Sequence, residues 1–152
     1  MRNVKLALLA FVLLVISGCG GGGDSINSDA DRFVGDWHGT MIEQGRDDGG
    51  ELSNIVLDMH IEYAGKENIG GVTVEYISVS IYWGNVLVAT GTDTAQPGGT
   101  WNVTLSEQGF EFEMLGQFIG NVASGSFTII MDNPDPPFNT INIWGTWSCS
   151  KV

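Results

Sequence analysis

Phe33-Val34-Gly35-Asp36-Trp37-His38-Gly39-Thr40-Met41 carries an alternation that points to a sheet. Its odd positions are apolar or small, and its even positions hold Val34, Asp36, His38 and Thr40. Successive side chains of a strand point to opposite faces, so this pattern predicts a strand with one buried side. The alternation returns in Ile55, Leu57, Met59, Ile61 and Tyr63, set against Val56, Asp58, His60 and Glu62. A third run, 72–83, changes phase: Val72, Val74 and Tyr76 are apolar on one side, then Ile77, Val79, Ile81 and Trp83 on the other. Such a slip predicts a β-bulge or a sharp bend near Tyr76.

Gly84-Asn85 is a two-residue hairpin signal leading into Val86–Thr90, after which Trp101, Val103 and Leu105 alternate with Asn102 and Thr104. Glu107-Gln108-Gly109 turns the chain into Phe110, Phe112, Met114 and Phe118, and Gly120-Asn121 turns it into Phe127, Ile129 and Met131. The proline-rich stretch from Asp132 to Pro137 forces a loop before a last strand, Phe138 to Ser150. No helical periodicity of useful length is present. Eight strands on short turns predict an all-β, single antiparallel domain, an eight-stranded up-and-down barrel whose closure removes exposed edges. A two-sheet β-sandwich is the alternative.

The ends of the run favour closure. Gly35-Asp36-Trp37 and Gly145-Thr146-Trp147 each place an inward tryptophan two residues after a glycine, and the first and last strands of a barrel are neighbours. Gly35-Asp36-Trp37 in a first strand resembles the Gly-x-Trp signature of lipocalins and of avidin-like barrels. The resemblance implies a small lipocalin-like barrel of the kind that carries ligands. The chain lacks a Thr-Asp-Tyr loop motif, an arginine in the last strand to pack on Trp37, and an ordered set of biotin-type polar ligands. No specific lipocalin or biotin activity is therefore carried over.

The start of the chain gives an address. Arg2 and Lys5 precede an uninterrupted apolar run of 11 residues, Leu6 to Ile16. A membrane-spanning helix needs about 20 apolar residues, so the run has the length of a signal-peptide core. Ile16-Ser17-Gly18-Cys19 resembles the bacterial lipobox, with isoleucine where leucine is commoner. The resemblance implies a diacylglyceryl group on the Cys19 thiol, cleavage before Cys19 and acylation of the new amino end. Gly20 stands where an aspartate would suggest inner-membrane retention, so the outer membrane is favoured. The expected organisation is a signal peptide over 1–18, a lipidated Cys19 with a Gly/Ser/Asp linker over 19–31, and a barrel domain over 32–152. Roughly a dozen linker residues span about 20 Å on average.

Removal of Arg2 and Lys5 leaves four basic residues against 18 acidic ones, a formal charge of −14. Nucleic-acid affinity comes from neutralising phosphates with lysine and arginine, so no nucleic-acid partner is expected. Anionic headgroups are likewise a poor match, and the lipid must hold the protein to its membrane. With Cys19 consumed, Cys149 has no partner in the chain; alternation puts it on the apolar side with Ile141, Ile143 and Trp147, as a small inert hydrophobe.

The sharpest chemical pattern is a repeated Asp-x-His on the first two strands, Asp36-Trp37-His38 and Asp58-Met59-His60. If Gln44 pairs with Leu52, His38 faces Asp58 and Asp36 faces His60 on the outer wall. Opposed Cβ atoms lie about 4.5–5.5 Å apart, near enough for imidazoles and a carboxylate to hold zinc; solvated Asp–His pairs are the plainer reading. Oxygen ligands also cluster in Asp47-Asp48-Gly49-Gly50-Glu51 and in Asp132-Asn133-Pro134-Asp135, without EF-hand spacing. No Gly-x-Ser-x-Gly elbow, phosphate-cradling loop or His-Glu-x-x-His motif occurs, and the chain reads as a non-enzyme with no cofactor.

Trp37, Trp101, Phe112, Phe127 and Trp147 all point inward, and an eight-stranded barrel either fills with side chains or holds one small ligand. Trp144 points outward with Asn142, Thr146 and Ser148, as a partner surface would. Two functions follow. The first is a tethered module that binds a small apolar ligand inside the barrel. The alternative is an envelope interaction or structural protein with a filled barrel and a partner surface around Trp144.

Overall fold

The computed structural model describes residues 28–107, 109–133 and 140–152. The signal segment, Cys19 and most of the linker lie outside the described residues, as does much of the proline-rich loop. Eight strands make one antiparallel sheet: β1 (Gly35–Arg46), β2 (Asn54–Ile69), β3 (Val72–Trp83), β4 (Val86–Thr94), β5 (Thr100–Glu107), β6 (Phe110–Ile119), β7 (Val122–Asp132) and β8 (Thr140–Lys151). Their order is β4-β3-β2-β1-β8-β7-β6-β5. Every chain neighbour is a sheet neighbour except β4 and β5, and β1 pairs with β8. This is an up-and-down barrel, nearly closed, and not a two-sheet sandwich. Its seam runs between β4 and β5, which are packed side by side without a hydrogen-bonded ladder; the Leu105 side chain covers Gly91 there.

The assumed register holds. Asp36 pairs with His60, Trp37 with Met59 and His38 with Asp58, and the Glu43 amide donates to the Ser53 carbonyl at 3.0 Å. The phase change of β3 is absorbed on its neighbour. Tyr63 pairs with Ile77 and Gly65 with Tyr76, so Ala64 is the extra residue. Gly65 takes φ +130°, which an L side chain rarely adopts. Beyond this bulge β2 and β3 continue as a hairpin arm to Ile69 and Val72. Nearly every arm residue from Ala64 to Thr73 is exposed on both faces.

Before β1 the chain makes a 3-10 turn, Ala30–Arg32, with Phe33 in right-handed helical conformation. Phe33 therefore caps the barrel end and is not part of the first strand. Ala30 is fully buried, and its amide donates to Glu75 Oε2 at 3.0 Å.

The inward faces form one core: Trp37 and Met41 of β1, Leu57, Met59 and Ile61 of β2, Ile77, Val79 and Ile81 of β3, then Trp101, Phe112, Phe118, Phe127 and Trp147 from the other half. The outer wall carries Asp, His, Ser, Thr and Glu, the reverse of a membrane-spanning barrel, whose apolar band faces out. Among the described residues no helix is long and apolar enough to cross a membrane.

Candidate functional site

Phe118 organises the interior at the end where β1 begins. Its ring centroid lies 4.7 Å from Trp37, 4.9 Å from Trp101, 5.1 Å from Phe33 and 6.0 Å from Trp147. Trp37 and Trp147, expected to seal one end together, are thus joined through Phe118. Trp147 lies across the paired glycines Gly116 and Gly125, where a Cβ would collide with its ring or with the facing backbone. Its indole N–H reaches the Leu115 and Ser126 carbonyls, both at 3.1 Å. The Trp37 indole N–H donates to the Phe33 carbonyl at 2.7 Å. At the other end Trp83 packs edge-on against Phe110 and Phe112, at 6.1 and 5.9 Å.

The five residues expected to line a ligand cavity, Trp37, Trp101, Phe112, Phe127 and Trp147, are all buried in this cluster. The buried indole N–H groups of Trp83 and Trp101 have no acceptor among the described residues, and an unpaired buried donor costs about 1–3 kcal/mol.

The Asp/His lattice forms on the outer wall. The His38 Nδ1 and Asp58 Oδ1 atoms lie 2.5 Å apart, as do His60 Nδ1 and Asp36 Oδ1, and His60 Nε2 is 3.1 Å from Glu62 Oε1. The Asp36 hydrogen bond, then that of Glu62, raises the His60 pKa. Asp36, His38, Asp58 and His60 line a groove of about 360 Å³ with Tyr82 beside them. They form one couple, His38 with Asp58, and one bridge, His60 between Asp36 and Glu62. Among the described residues no three His, Cys, Asp or Glu side chains converge where a metal ion could sit.

The acidic loop after β1 spends its carboxylates locally. Arg46 donates to both carboxylate oxygens of Asp48, holding that group down to about 2, and Asp47 accepts from the Asn142 amide and side chain. Asp135 lies outside the described residues. Cys149 is buried, and burial, with a smaller push from Asp58, raises its thiol to about 12, far from thiolate chemistry.

Trp144 is exposed on the outer wall, its indole lying over Gly45, where a Cβ would fall inside the ring. Gln44 is the extra residue of a bulge there, since Glu43 pairs with Gly145 and Gly45 with Trp144. Exposed Ile42 of β1 and Val56 of β2 continue a diagonal from Trp144 across three strands.

The sequence reading missed the hairpin arm. A groove of about 880 Å³ lies beside it, walled by Ile69, Val72, Val74 and Tyr76 on one side and Ala95 and Pro97 on the other, with Ser28 and Asp29 at its edge. The available signal was the pair of glycines at 70 and 71, which turn Ile69 directly into Val72.

Comparison with family models, with curated proteins and with solved structures finds no match to this chain. The reading of its function therefore rests on its own residues.

Proposed function

We propose that this chain is a lipid-anchored envelope protein, held through Cys19 in the outer membrane, whose solid barrel acts as a non-catalytic interaction module. The observation that carries the solid-barrel part is the contact of Phe118 with four other rings in the interior. A filled core leaves the outer wall to act. Trp144, Ile42 and Val56 form its aromatic and aliphatic diagonal among polar neighbours. Tryptophan is over-represented among the residues that dominate binding energy at protein interfaces, so the partner is an envelope protein seated on this wall.

One observation favours the other reading, a small ligand inside the barrel. The buried indole N–H groups of Trp83 and Trp101 would each suit a hydrogen-bond acceptor on such a molecule. That ligand would have to separate rings that now touch.

Photo-crosslinking in the native envelope tests the wall. A crosslinker at position 42 is expected to give one discrete protein adduct, reduced at least about tenfold by Trp144→Ala, the loss of a hot-spot side chain being worth about 2 kcal/mol or more. An adduct unchanged by Trp144→Ala, or none from position 42, would remove Trp144 from the proposal.

A further inference from the structure

Two hairpin turns of this barrel share one pattern. Ile69-Gly70-Gly71-Val72 joins β2 to β3, and Ile119-Gly120-Asn121-Val122 joins β6 to β7. In each, an isoleucine pairs directly with a valine across a two-residue turn, with Gly70, Gly71 and Gly120 at positive φ. All four apolar side chains are displayed to solvent: Ile69 is 53% exposed, Val72 64%, Ile119 64% and Val122 56%. Polar residues are the usual choice at such tips.

The topology puts both tips at one end. In an up-and-down barrel, the turns after β2 and after β6 lie at the end where β1 starts. That end is also where the described chain begins, at Ser28 beside the hairpin arm. The two tips lie on either side of the β1–β8 pair in the sheet order. Three of the four basic residues of the mature chain, Arg32, Lys66 and Lys151, lie at this end, whereas Asp47, Asp48, Glu51 and Asp132 lie at the far end. Asp29, Asp31, Glu67 and Glu75 share the near end, so its attraction for a bilayer is apolar and not electrostatic.

We infer that this end rests on the bilayer, with Ile69, Val72, Ile119 and Val122 inserted among the lipid headgroups. The inference depends on the lipid-anchor reading, for the tether supplies the geometry. From Cys19 to Ser28 is nine residues, which fully extended reach about 30 Å. The tether end of the barrel can therefore never move far from the membrane, and its tips meet the interface at high effective concentration. The hairpin arm gains from the contact. A two-stranded ribbon exposed on both faces is marginal in water, and the bulge at Ala64 with Gly65 aims it past the barrel rim.

The test uses the full-length protein, processed in a bacterium and reconstituted into phosphatidylcholine vesicles that carry a shallow lipid-borne quencher. A polarity-sensitive dye is attached to Val72→Cys, Val122→Cys or, at the far end, Val86→Cys; buried Cys149 is left in place. The inference expects at least threefold stronger quenching at 72 and 122 than at 86. Adding Ile69→Asp and Ile119→Asp should abolish that difference while the protein still floats with the vesicles. Equal quenching at all three positions, on floating protein, overturns the inference. So do dyes at 72 and 122 that are shielded from aqueous iodide yet untouched by the lipid quencher, because a protein then covers the tips. Protein that does not float has no anchor, and both readings fall together.

Discussion

Phe118→Ala should lower the melting temperature of the domain by about 10–20 °C. The ring touches Phe33, Trp37, Trp101 and Trp147, drawn from the entry turn and from strands β1, β5 and β8. Those four residues are themselves buried, so little can collapse into the space a phenyl ring leaves. Buried Phe→Ala changes cost about 3–5 kcal/mol, and a domain of this size loses roughly 3–4 °C per kcal/mol. Leu115→Ala serves as the control on the same strand. Leu115 points outward and is exposed, and exposed changes of this kind stay within about 0.5 kcal/mol. Thermal unfolding followed by near-ultraviolet circular dichroism reads both. A Phe118→Ala protein that melts within about 3 °C of the parent would show that the aromatic cluster does not close the barrel end.

Cys19→Ala should abolish lipidation and with it the lipid anchor. The lipobox reading gives the thiol a diacylglyceryl group and the new amino end a further acyl chain. Each buried CH₂ contributes about 0.8 kcal/mol, so three chains hold the protein permanently where a single one would be marginal. Among the described residues no helix is long and apolar enough to replace them. Cleaved before Cys19, the chain would carry a formal charge of −14, which repels anionic headgroups, and the four tip side chains inferred to insert would make a weak contact on their own. Intact-mass measurement should find the parent protein beginning at Cys19 with the added mass of its lipid. The variant should keep its first 18 residues or be cut elsewhere, and should carry no lipid. Cleavage before residue 19 together with retained lipid in Cys19→Ala would contradict the anchor.

Much of this architecture was legible because alternation is a direct physical signal. Trp37 and Met41, with Leu57, Met59 and Ile61, lie on the buried face as the alternation predicts, whereas Tyr63, which fits the same pattern, is exposed where the bulge at Ala64 begins. The cross-strand couples Asp36–His60 and His38–Asp58 followed once one register was assumed. The phase change at Tyr76 was also visible, although the residue that absorbs it, Ala64, belongs to the neighbouring strand. Periodicity reports that two strands slip, and it does not say which carries the insertion. Phe33 fitted the strand pattern and yet lies in the turn before it, since a single aromatic residue at a strand's edge buries equally well from either conformation.

The candidate sites were harder. Alternation gives the direction of Trp37, Trp101, Phe112, Phe127 and Trp147, but the volume between them depends on where Phe118 and the glycine pair Gly116–Gly125 stand. Filled and hollow barrels therefore read alike. The hairpin arm escaped notice because Lys66-Glu67-Asn68 interrupts the apolar pattern while strand pairing continues to Ile69. The two Ile-Gly-x-Val tips are plain in the sequence. What the sequence lacks is that both lie at the end where β1 starts, a fact of topology.

A solid barrel that acts through its surface carries no small molecule inside. Native mass spectrometry of the mature protein, solubilised gently from its own host, tests it most directly. A single folded species is expected, with the mass of polypeptide and covalent lipid and no small molecule besides. A discrete additional mass of small-molecule size that leaves on denaturation would contradict it.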